Sequence, residues 1–128
     1  MREKLDKKIK EFLNALDRFD EVLEPKNAIE RDALIKRFEF TFDTGWKSLK
    51  NFLEVEYSQQ EIQSPIQSFK SAFLVSVFDE EDFKKWTKMR DTRNQTAHEY
   101  EELIAEEVAI SAKSMSETFH NLSKLLSK

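Results

Sequence analysis

Apolar residues recur along most of this chain at steps of three and four, and no β-alternation or hairpin turn competes with a helical reading. Leu5, Ile9, Phe12, Leu16, Phe19 and Leu23 alternate steps of four and three, which predicts a first long helix over about residues 2–23. Pro25 ends it, and Asn27 followed by Glu30 reads as a capping box that opens a second helix running to about Tyr57. In that helix Phe38, Phe42, Trp46, Leu49 and Leu53 share one broad stripe. Phe40 lies about 200° from Phe38 and needs a second surface, either another helix or another subunit. Gly45 sits in mid-helix at a cost of about 1 kcal/mol relative to Ala, which points to a close approach there.

YSQQEIQS reads as a loop, and Ser64 with Pro65 as the cap and first turn of a short third helix filled by Ile66, Phe69, Phe73, Leu74 and Val77. Asp79 with Asp82 caps a fourth helix carrying Phe83, Trp86 and Met89. A last helix, near residues 101–126, presents Ile104, Val108, Met115, Phe119, Leu122 and Leu126. The expected fold is all-α: one antiparallel up-and-down bundle of four to five helices, a single domain over residues 1–128.

Composition sharpens this picture. One Gly and two Pro in 128 residues leave few breakers, and 36% charged against 39% hydrophobic residues suits long amphipathic helices. Eleven Phe, two Trp and two Tyr supply a substantial core. The absence of Cys excludes disulfides, thiolate zinc sites and Cys nucleophiles. The charged start MREKLDKKIKEF is unlike a signal peptide, and no apolar run approaches the length of a membrane span, so a soluble, cytoplasmic protein is expected. A net charge of −4 argues against generic nucleic-acid binding, so any RNA contact has to be local.

The octet RNQTAHEY, residues 93–100, stands apart from this pattern. Trp86, Arg90, Asn94 and His98 follow one another at steps of four and form one ridge on a helix. Arg93 and Tyr100, seven apart, fall on a neighbouring ridge. Arg93 and His98 would be about 140° apart on a regular helix. They converge only if the helix ends near Ala97 or if a second copy of the chain completes the site.

Chemically, the set suits cleavage of an RNA phosphodiester without metal. His98 can exchange a proton with the 2′-hydroxyl or the leaving oxygen, an unperturbed imidazole titrating near ~6.5. Arg93 can hold the non-bridging oxygens through its fork, and Asn94 can orient phosphate or imidazole. A full acid–base pair needs two imidazoles, which a homodimer supplies. An Arg five residues before a His arises by chance in roughly a tenth of chains of this composition, and a helix-end cap or salt-bridge cluster looks the same.

Arg93, His98 and Tyr100 in the order Arg-x4-His-x-Tyr resemble the signature of HEPN-domain proteins. The stretches RDALIKRFEFTFDTGWKSLKNFLE and WTKMRDTRNQTAHEY are similar to the nucleotidyltransferase substrate-binding protein family, a HEPN branch, and the likeness runs over about residues 5–125. The resemblance implies a dimerising helical bundle paired with a separate minimal nucleotidyltransferase, similar to toxin–antitoxin modules. It implies a metal-independent ribonuclease with Arg93 and His98 at a cleft between protomers, silenced by AMP attached at Tyr100. It equally admits a non-catalytic subunit that binds substrate for the transferase. Neither role implies a cofactor.

Other candidates weigh less. His120, between Phe119 and Leu122, has no Cys, His or acidic partner at ligand spacing, since Glu117 stands alone, and it reads as a surface or half-buried histidine. FDEEDF places four carboxylates at a helix start, where the dipole favours them. Lys84, Lys85, Lys88, Arg90 and Arg93 lead into the octet and read either as a solvated face or as steering for RNA.

Overall fold

The computed structural model describes residues 2–96 and 102–127. These form six helices: α1 (Arg2–Asp20), α2 (Ala28–Tyr57), α3 (Pro65–Leu74), α4 (Glu80–Gln95), α5 (Glu102–Lys113) and α6 (Ser116–Leu126). No helix among the described residues is long and apolar enough to cross a membrane. The architecture is the expected all-α bundle, with one helix more than the longest count predicted.

The starts follow the cap chemistry. Asn27 accepts the backbone N–H of Glu30 at 2.8 Å, Ser64 accepts that of Gln67 at 3.3 Å ahead of Pro65, and Asp79 and Asp82 exchange reciprocal bonds at 2.8 and 3.0 Å. The ends follow it less closely. α1 closes at Asp20, three residues short of the expected limit, through a tight turn in which Val22 N–H reaches the Phe19 carbonyl at 3.1 Å. The expected last helix is two. Ser114 Oγ donates to the Ser111 carbonyl at 2.6 Å and Met115 N–H turns to Ala112 at 3.0 Å, so a serine hydroxyl and a tightened turn interrupt the ladder.

α1 and α2 run antiparallel along a seam of small residues. Arg37 Nη1 donates to the Arg18 carbonyl at 2.8 Å, Thr41 Oγ1 to Ala15 at 3.2 Å and Ser48 Oγ to Lys8 at 2.9 Å. Advancing along α2 therefore means receding along α1. Gly45 lies within this seam, where a Cβ would stand 3.1 Å from Phe12 Cε1 and 3.4 Å from Trp86. That is the close approach its position predicts.

The core is aromatic. Phe12, Phe19, Phe38 and Phe119 pack at centroid distances of 5.7–6.2 Å, and Phe42, Phe69, Phe78 and Trp86 form a second group at 5.5–6.4 Å. Trp86 meets Phe119 edge-on at 5.8 Å and joins the two. Each fully buried ring contributes on the order of 1.5–3 kcal/mol. Phe73 and Leu74 do not fill α3 as expected. The buried side of that short helix is Ser68, Phe69 and Ala72, while Phe73 lies outside against Phe83, and α3 stops before Val77. Phe40 is 59% exposed on the outward side of α2 and finds no covering helix among the described residues.

Candidate functional site

α4 delivers Arg93 and Asn94 in its last turn, and regular α-helix ends at Gln95. Thr96 makes the stop. Its N–H and its hydroxyl both turn back to the Arg93 carbonyl, the hydroxyl at 2.7 Å. The 140° offset between Arg93 and His98 presupposes a helix continuing through both. α4 ends at Gln95, two residues before Ala97. His98 and Tyr100 themselves lie outside the described residues.

Arg93 is gripped on several sides. Nε donates to Asp43 Oδ1 and Nη2 to Asp43 Oδ2, both at 3.2 Å, so one carboxylate takes one edge of the guanidinium as a fork. Nη1 donates to Thr96 Oγ1 at 3.1 Å and lies 3.7 Å from Glu39 Oε1. Glu39 and Asp43 come from successive turns of α2, one helix away from Arg93 in space. Glu39, only 12% exposed, also accepts Lys36 Nζ at 3.2 Å. The Asp43 and Glu39 carboxylates thus engage the guanidinium that an incoming phosphate would have to share, with Lys36 offsetting part of their charge. Asn94 is exposed beside them.

The chain leaves the octet into α5 under a second clasp. Arg31 of α2, its side chain 8% exposed, reaches Glu102 at 2.6 Å, Glu106 at 2.9 Å and Asp32 at 3.1 Å. The hydrogen bonds it donates to Glu102, Glu106 and Asp32 hold its guanidinium more firmly protonated than usual, against the opposing effect of burial. Arg93, which opens the octet, and Glu102, which opens α5, are thus both tied to α2.

The other predicted cations disperse. Lys85 and Lys88 border a hollow with Ser114, Met115, Glu117 and Thr118 at the α5–α6 turn. Lys88 is five residues from Arg93, about 140° around α4. Arg90 Nη2 turns to Asp91 at 3.0 Å, and Lys84 pairs with Glu80 at 3.2 Å. The structure brings none of Lys84, Lys85 or Lys88 onto the Arg93 face. His120 has an acidic partner that its own helix does not reveal: Nε2 lies 2.6 Å from Asp20 Oδ2 on α1, while Ser116 Oγ donates to Asp20 Oδ1 at 2.9 Å. Among the described residues no three His, Asp or Glu side chains gather as a metal site. The carboxylates of FDEEDF include the Asp79–Asp82 cap, in which the Asp82 N–H holds Asp79 below the usual carboxylate range while burial pushes Asp82 up.

Sequence reasoning missed Glu39, Asp43, Thr96 and Arg31. The available signal was the Glu39–Asp43 pair, two carboxylates four apart on the flank of the α2 stripe. Their partner lies fifty residues downstream of Asp43 and no local spacing names it.

No curated protein matches the chain in sequence. A crystal structure of a Thermus thermophilus protein superimposes with a TM-score of 0.84 at 26% identity, covering 91% of this chain and 99% of that one. A tri-AMPylated Shewanella oneidensis HEPN toxin, solved in complex with MNT antitoxin, gives 0.78 at 17% identity over 99% and 98% of the two chains. The toxin–antitoxin MntA-HpeT mutant gives 0.78 at 16% over 96% of each. At these identities the last two likenesses establish a shared helical fold. The family model described as nucleotidyltransferase substrate binding protein like matches residues 3–128, and the chain belongs to that family.

Proposed function

We propose that this protein is the HEPN partner of a minimal nucleotidyltransferase and acts as a metal-independent endoribonuclease. The observation that carries the proposal is the anchoring of Arg93 in the last turn of a helix that stops five residues before Tyr100. A guanidinium held this way is a preorganised cation directly upstream of His98. In the reaction the 2′-oxygen attacks phosphorus, the 5′-oxygen departs, and a cyclic phosphate forms. His98 moves the proton, Arg93 faces the charge that builds on the non-bridging oxygens, and Asn94 orients phosphate or imidazole. A homodimer supplies the second imidazole. Lys85, Lys88 and Arg90 then contact RNA beyond the cut site.

Silencing follows from AMP transfer by the partner. The Tyr100 oxygen attacks the α-phosphorus of ATP, pyrophosphate leaves, and the attached nucleotide monophosphate lies over the anion site. That such a partner accompanies a related fold is supported by the HEPN toxin solved with MNT antitoxin.

The test is cleavage of single-stranded RNA by purified protein in the presence of EDTA. Arg93→Ala and His98→Ala are expected to abolish cleavage and growth arrest while far-UV circular dichroism stays helical. Retained cleavage in either variant overturns the reading. The Asp43 and Glu39 carboxylates favour a second one, because they already engage the guanidinium that a phosphate would need. In it the chain is a non-catalytic subunit that binds substrate for the transferase. It predicts no cleavage by wild type and altered transferase turnover in the same variants.

A further inference from the structure

The geometry points to Asp43 as the positioning residue of the site: its carboxylate fork fixes the plane and direction of the Arg93 guanidinium, whose Nη1 is held by Thr96 at the end of α4. This inference rests on the ribonuclease reading for its consequence, though the holding itself does not.

Four observations carry it. Asp43 takes the Nε and Nη2 positions at equal distances of 3.2 Å, which fixes the plane of the guanidinium as a single contact would not. Thr96 receives Nη1 at 3.1 Å while donating to the Arg93 carbonyl, so the side chain is tied to the terminus of its own helix. Thr96 is buried, at 3% exposure. Asp43 stands on a helix interior locked against α1 by the Thr41, Gly45 and Ser48 seam, so the carboxylate itself is on a rigid mount.

The alternative roles for the same pair make different demands. A helix–helix staple at 32% and 39% side-chain exposure contributes little to stability, and its loss leaves chemistry intact. A competing counter-ion would have to be displaced by phosphate, so its removal would tighten RNA binding. A positioning residue changes turnover and leaves ground-state binding alone.

Two measurements separate these. The first is the Nε–H resonance of Arg93, assigned by its loss in Arg93→Lys. It is expected to be resolved and slowly exchanging in wild type, and to merge with the exposed arginines in Asp43→Asn. An unchanged resonance in Asp43→Asn overturns the inference whether or not the protein cleaves RNA. The second is steady-state cleavage. Asp43→Asn is expected to lower kcat at least tenfold with KM within twofold, and Asp43→Glu, which keeps the charge, to recover part of the loss. Unchanged kcat makes Asp43 a staple, and a lowered KM makes it a competitor; either result overturns the inference. If wild type shows no cleavage, the ribonuclease reading fails, and the resonance alone decides whether Asp43 holds Arg93.

Discussion

Arg31 of α2 and Glu102, the first residue of α5, meet at 2.6 Å across 71 residues of sequence. The contact ties down the point where the chain emerges from the octet. It is asymmetric, since Arg31 is 8% exposed while Glu102 and Glu106 remain 74% and 58% exposed.

Arg31→Met tests that clasp. The released carboxylates regain water, so the cost falls below that of breaking a fully buried pair and is expected at about 1–2 kcal/mol. Urea unfolding measures it. Hydrogen exchange is expected to accelerate first in the opening turn of α5, and a uniform change across all helices would contradict a local role.

Gly45→Ala sets two effects against each other. Helix propensity gains about 1 kcal/mol. The new methyl would press on Phe12, whose ring already packs 6.2 Å from Phe119 and has little room to retreat. Overpacking of this kind costs about 1–3 kcal/mol, so a net loss is expected, read as a lower urea midpoint. A stabilised variant would show that the α1–α2 seam is slack.

Asp79→Ala removes the cap of α4 and is expected to lower Tm at neutral pH. Asp79 is held below its ordinary range mainly by the Asp82 N–H, so its stabilising effect is present above the unfolded carboxylate range and is lost as pH falls through the folded value. Asp82 is pushed up by burial, so its effect has the opposite sign and weakens as pH rises. The gap between wild type and Asp79→Ala should therefore narrow on acidification. A constant gap from neutral pH to acid would contradict this assignment.

Tyr100→Phe is expected to leave RNA cleavage and growth arrest intact and to abolish neutralisation by a co-expressed nucleotidyltransferase. Mass measurement of the co-expressed wild type should find added AMP on Tyr100. Full neutralisation of Tyr100→Phe would remove Tyr100 from the switch.

Much of this fold was legible because the signals were local. Asn27, Ser64 and Asp79 mark their helix starts by chemistry that spans three residues, and the mid-helix glycine announced its close contact. The stops were harder. Ser114 breaks the last helix through a hydroxyl bond that Ser residues elsewhere in the chain make without interrupting their helices, as Ser48 does to Thr44 within α2. In the candidate site, the spacing singled out Arg93 and not the residues that hold it. Asp43 lies 50 residues away in sequence, and Asp20 is 100 residues from His120. Side chains that meet across a bundle leave no trace in the periodicity of either helix.

The two ties on α2 have opposite polarity. In its middle α2 offers a carboxylate to a guanidinium, and near its N-terminus a guanidinium to carboxylates. About twelve residues of helix separate Asp43 from Arg31, about 18 Å of rise. The end of α4 and the start of α5 therefore each meet complementary charge on α2 in the arrangement observed. α2 thus sets the distance between the residue that opens the octet and the first residue of α5.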